Sequence, residues 1–227
     1  MTGPGGAQER ITGFWSAIAA GYEAHAGNVA EYGSAGYRRW VEDLASVLPD
    51  PVARILDVGC GTGYLALAAA SLGHRVTAID LAPDMLRVLT DTASARGLRV
   101  DALLGDAVRP DFPPASFDAL TSRHVLWTLR DPGTAMANWR ALLRPGGLLV
   151  AVDGCWFSDW DEGTAPLQFA ESYTADTRAE LPFMLLDSPE PIVTAFAAAG
   201  FVDLTVRWRP DLALGGGTPY LITGRCP

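Results

Sequence analysis

Three glycines at alternate positions follow an acidic residue in Asp57-Val58-Gly59-Cys60-Gly61-Thr62-Gly63. Glycines there let the backbone turn sharply and let a ligand lie against it with no Cβ in the way. The apolar run Ile55 to Val58 ahead of them reads as a buried strand. The Ala- and Leu-rich stretch from Tyr64 reads as a helix whose first-turn N–H groups favour anionic groups. Such a strand–loop–helix turn suits a nucleotide-like ligand. Asp80 closes a second predicted strand, 21 residues after Gly59, where a carboxylate accepts both hydroxyls of a ribose. Asp106 follows a third, Val100–Leu104. Three carboxylates at three consecutive strand ends are expected to converge on one crevice.

Composition narrows the chemistry further. The chain has 227 residues, a net charge of −9, and 17 basic residues that are all arginine. An acidic surface disfavours nucleic-acid backbones, so neither DNA nor RNA is expected as a partner. The absence of lysine removes Schiff-base chemistry, pyridoxal phosphate attachment and a P-loop lysine. Cys60, Cys155 and Cys226 are widely separated, as are His25, His74 and His124. Neither a disulfide framework nor a metal site is expected, and a reducing cytoplasm follows as the expected compartment. Asp159, Asp161 and Glu162 read as a solvated acidic face. No apolar run approaches a membrane-spanning length, and Met1–Arg10 reads as a frayed arm.

The surrounding elements must hold the loop in place. Phe14–Ala26 and Tyr37–Leu48 carry apolar residues at helical spacing. From Arg54, strands Ile55–Val58, Arg75–Ile79, Val100–Leu104, Phe117–Thr121 and Leu148–Val152 alternate with helices. That rhythm predicts an α/β fold with a doubly wound, mostly parallel sheet and ligands at the strands' carboxyl ends. Phe201–Trp208 and Tyr220–Gly224 supply two more strands. We divide the chain into a helical N-terminal arm or cap, 1–50, and a core, 51–227. The aromatic, acidic stretch 154–189 interrupts the core and is long enough to be a functional cap.

A dinucleotide fingerprint requires its third glycine where Tyr64 stands. The phrase Leu56-Asp57-Val58-Gly59-Cys60-Gly61-Thr62-Gly63 instead resembles motif I of the class I S-adenosylmethionine-dependent methyltransferases. The resemblance covers Phe14 to about Gly154 well and the remainder loosely. It implies a seven-stranded Rossmann-like sheet ending in an antiparallel hairpin, with S-adenosylmethionine as cofactor and S-adenosylhomocysteine as product. It also implies roles. Asp57, Gly59, Cys60, Gly61 and Gly63 would hold the methionine part, and Asp80 the ribose. Leu81 and Met85 would pack on the adenine, with Asp106 and Ala107 on its edge. Arg123 would touch the cofactor by backbone or pair with an acidic neighbour. Tyr22, in the pattern Trp15, Ile18-Ala19, Tyr22, would lie near cofactor and acceptor.

The resemblance further places Ser122-Arg123-His124 beside the transferred methyl group, making His124 the general-base candidate. Trp127 and Trp156, with Phe157 and Trp160, are expected to wall a pocket for a flat or cationic small-molecule acceptor. Methyl transfer to a nitrogen, oxygen or carbon nucleophile, in the tailoring of a natural product in a bacterium, is the expected activity. Two rivals stand beside it: a methyltransferase-like subunit that binds cofactor without turnover, and a nucleotide-dependent oxidoreductase, disfavoured by Tyr64. Both a monomer and a homodimer fit the sequence.

Overall fold

The computed structural model describes residues 6–24, 35–49, 52–161, 164–212 and 217–227. His25 and Glu162 lie outside them. Seven strands form one sheet: β1 (Arg54–Val58), β2 (Arg75–Asp80), β3 (Val100–Leu104), β4 (Phe117–Arg123), β5 (Leu143–Gly154), β6 (Val202–Trp208) and β7 (Pro219–Arg225). Their order is β3-β2-β1-β4-β5-β7-β6. β1 to β5 run parallel, and β7 pairs antiparallel with both β5 and β6.

Side chains on a strand point alternately to opposite faces, so β1 must be apolar on both. Ile55 packs on one face with Trp40 and Leu44 of helix α2 (Ala35–Val47), Leu65 of α3 (Tyr64–Ser71) and Leu89 of α4 (Pro83–Ala95). Leu56 and Val58 pack on the other with Trp139 of α5 (Pro132–Leu142). α3 is buried from Tyr64 through Ala69, as expected of a helix that is apolar all round. Asp131 caps α5 by accepting from the Thr134 N–H at 3.1 Å, with Pro132 in the first turn; both are favoured helix starts.

Three expectations are corrected. Helix α1 spans Gly6–Ile18, so residues 6–10 belong to a helix and not to a frayed arm. Ala7, Ile11 and Phe14, at helical spacing, bury its inner face. The segment Ala19–Ala24 continues as a tighter 3-10 helix, where Phe14–Ala26 had read as a single α-helix. Strand β5 begins at Leu143, ahead of the expected strand Leu148–Val152, and its pairing with β4 shifts register between Phe117 and Ala119.

The 154–189 stretch holds two short helices, α6 (Leu167–Ser172) and α7 (Ala175–Ala179). They pack against α1 through Ile11, Phe14, Phe169, Tyr173, Leu181 and Met184. Arg10 donates to the Thr177 hydroxyl at 2.8 Å, and the Trp15 indole N–H to the Tyr173 hydroxyl at 3.0 Å. Helix α1 and the insertion thus pack as one layer. The last helix before the closing hairpin, α8, spans Glu190–Ala198. Among the described residues no helix is long and apolar enough to cross a membrane.

Candidate active site

A narrow crevice opens at the carboxyl ends of β1, β2 and β3, roofed by Gln8, Ile11, Thr12 and Trp15 of α1. Asp57, Gly59, Cys60 and Gly61 line it from the first loop, and Asp80, Leu81 and Met85 from the second. Asp106 and Ala107 line it from the third, Arg123 and His124 from the end of β4, and Tyr22 from the cap.

The carboxylates differ in how they are held. Asp57 is buried, and each oxygen already has a protein donor: the Thr121 hydroxyl at 2.6 Å and the Ala66 N–H at 3.1 Å. It therefore ties β1, β4 and the first turn of α3 together and shapes the loop from behind. Burial pushes its pKa up to about 7. Asp80 accepts from the Gly61 N–H and the Ala82 N–H, both at 2.8 Å, which clamps the glycine loop to the end of β2. Burial raises its pKa as well. Each carboxylate oxygen has room for a second donor, so the clamp leaves capacity for a diol. Asp106 accepts from the Val108 N–H at 2.8 Å, fixing the turn after β3.

The loop has the form of a ligand cradle. At Gly61, with φ +53°, an added Cβ would meet nothing closer than Met85 Sδ at 4.0 Å, so a side chain there would occupy open crevice. Gly63 stands apart from the lining: with φ +95°, an added Cβ would strike Leu89 Cδ1 at 2.2 Å. Its small size serves the packing of α3 on α4. Met85 is buried beside the crevice with Ala82, where a polarisable thioether suits the face of a flat ring.

Arg123 makes no ion pair among the described residues. Its guanidinium lies 4.0 Å from the centre of the Tyr64 ring, so the acidic partner considered from the sequence is replaced by an aromatic face. Arg130, unremarked in the sequence, also lines the crevice and is held by Glu180 at 2.5 Å.

Beyond the crevice lies a chamber of about 990 Å³, walled by Trp127, Trp156, Phe157, Trp160 and Phe169. His124, Trp15 and Tyr22 line both spaces. His124 adopts φ +56°, a region histidine enters more readily than most residues. Its ring meets that of Trp156 at 4.7 Å between centroids. Burial, aided by the Arg123 charge, lowers its pKa well below the usual histidine value, so the imidazole is neutral.

Two residues passed over in the sequence support this junction. Asp153 is wholly buried and accepts from the Leu126 N–H at 3.0 Å, the Gly154 N–H at 2.9 Å and the Trp156 indole N–H at 2.8 Å. It fixes the turn after β4 and the indole against His124, with a pKa pushed by burial up to about 6. It ends β5 much as Asp57 and Asp80 end their strands, so the strand-end rule extended one strand further would have singled it out. Trp15, singled out in the sequence only as part of the Tyr22 pattern, faces both spaces; no residue-type signal separates that from packing.

Comparisons with known proteins agree with this geometry. A family described as a methyltransferase domain matches residues 56–151. Nocamycin O-methyltransferase of Saccharothrix syringae is 33% identical over 199 residues, covering 80% of this chain and 70% of that enzyme. The chain belongs to the S-adenosylmethionine-dependent methyltransferases. The methyltransferase is also 41% identical over 102 residues to ubiquinone biosynthesis O-methyltransferase of Xanthomonas campestris. That match covers 44% of this chain and 42% of the relative, so the chain spans well under half of that enzyme's length. In fold, it is similar to phosphoethanolamine N-methyltransferase 2 of Haemonchus contortus, solved with S-adenosylhomocysteine. The TM-score is 0.68 at 19% identity, covering 93% of this chain and 58% of the other. The cofactor is S-adenosylmethionine, and the open cradle at Gly61 with its strand-end carboxylates fits it.

Proposed function

We propose that this methyltransferase moves the methyl group to an oxygen of a small-molecule acceptor, a natural product or related metabolite, seated in the aromatic chamber. The observation that carries this reading is the shared lining: His124, Trp15 and Tyr22 face both spaces, so donor and acceptor sites meet at one imidazole. Relatives named as O-methyltransferases support oxygen over nitrogen or carbon.

When bound, S-adenosylmethionine supplies an electrophilic methyl group on a sulfonium. The chain's residues position and desolvate around it. Asp80 accepts from the ribose hydroxyls, Leu81 and Met85 flank the adenine, and Asp106 with the Ala107 backbone reads its edge. The Gly59–Gly61 loop, clamped by Asp57 and Asp80, holds the methionine end. The cap from arm and insertion excludes water, which favours alignment of an in-line displacement. His124, neutral and facing the junction, takes the acceptor hydroxyl proton on a ring nitrogen as the oxygen attacks. Three unpaired cysteines support a reducing cytoplasm as its compartment.

The test is incubation with S-adenosylmethionine and matched hydroxyl, amine and carbon-acid acceptor panels, with product and S-adenosylhomocysteine followed by mass spectrometry. O-methylated products are expected. Turnover confined to amines or carbon acids would overturn the oxygen assignment.

A further inference from the structure

We infer that the chamber selects flat, apolar acceptors that carry no negative charge. This rests on the chamber being the acceptor site, as proposed above.

The charge inventory decides most of it. The chain contains no lysine, and each of its 17 arginines falls within the described residues. None of them lines the chamber. The arginine against its wall, Arg178, lies 4.8 Å over the Trp160 ring and donates to the Tyr173 carbonyl at 2.7 Å, so it is occupied from behind the indole. Among the described lining residues the sole histidine, His124, is held neutral at the inner end. At the rim, Asp159 and Asp161 are exposed carboxylates. An anionic acceptor would therefore shed hydration, approach a rim that carries carboxylates, and find no arginine or charged histidine among the described lining residues to replace what it lost.

Shape supplies the rest. Phe157 and Phe169 lie nearly parallel, 5.3 Å apart and 22° between planes, and Trp127 leans on Phe157 at 4.7 Å. A wall of ring faces and edges rewards a planar conjugated body by offset or edge-on contact, over and above burial. A puckered body of equal carbon count gains burial alone.

The experiment is equilibrium dialysis of three bicyclic probes against the full chain, with and without saturating S-adenosylhomocysteine. The probes are 2-naphthol, 2-naphthoic acid and the saturated alcohol decahydro-2-naphthol. 2-Naphthol is expected to bind at least about tenfold more tightly than the carboxylate and several-fold more tightly than the saturated alcohol. Ser158→Arg, at an exposed lining position, should narrow the gap between naphthol and naphthoate by roughly tenfold. Naphthoate binding as tightly as naphthol would overturn the inference. So would equal binding of the saturated alcohol, or no binding of any probe. The expected order without any methylated product from a hydroxyl panel would uphold this selectivity and overturn the proposed acceptor role instead.

Discussion

The crevice and the chamber share three side chains, yet they are made of different material. The crevice is shaped from below by backbone: a glycine loop, two adjoining turns, and carboxylates that accept from the N–H groups of Gly61, Ala66, Ala82 and Val108. The chamber is walled mainly by aromatic side chains, drawn from α1, the 3-10 segment after it, the turn after β4 and the 154–189 stretch. A backbone site has its shape set by strand spacing and tolerates little change. A side-chain site can be recut by exchanging one ring for another while the sheet beneath stays the same. On the reading proposed above, that contrast sets a fixed cofactor beside an acceptor site open to change.

The contrast can be broken at its seam. His124→Asn keeps a residue that tolerates positive φ and removes the base. The expected fall in kcat is about 10²-fold or more, with cofactor affinity unchanged; a fall under about threefold would end the general-base role. One step into the crevice, Asp80→Ala removes a charged acceptor and the clamp on Gly61. It should weaken S-adenosylhomocysteine by about 10- to 100-fold in calorimetry, while 2-naphthol binding in dialysis stays put. In the chamber, Trp156→Phe deletes the indole bond to Asp153 and leaves a ring against His124. A several-fold rise in acceptor KM with unaltered cofactor affinity is expected; a change in cofactor affinity instead would show that the two regions are not separable.

The smallest effect concerns the clamp itself. Asp57 titrates near 7 in the fold against an ordinary value of 3.8, so the folded chain holds its proton more tightly than the unfolded one. Its stabilising share is full below about pH 3.8 and is lost as pH rises through about 7. Asn at this position can still accept from Ala66 and donate to the Thr121 hydroxyl. Melting curves between pH 5 and 8 should therefore show a flatter pH slope for Asp57→Asn than for the parent. Parallel slopes would contradict a raised Asp57.

The parallel sheet and most of the crevice lining between Asp57 and Ala107, Gly63 excepted, were legible in local chemistry, and the cofactor in the likeness of the glycine loop to a known motif. Each depends on local chemistry: glycines where a ligand meets backbone, and an acid at each strand end. Local patterns also suggested Trp127 and Trp156 as walls, because aromatic residues crowd the break in the α/β rhythm. Tertiary structure alone decided that residues 6–10 form part of a roof, that Trp15 faces two spaces, and that Arg123 lies on Tyr64. It also decided that Asp153 steadies the indole beside His124. These are contacts between segments up to about 170 residues apart, such as Arg10 with Thr177. Their partners share no spacing or period, so only packing in three dimensions selects which aromatic ring becomes core and which becomes wall.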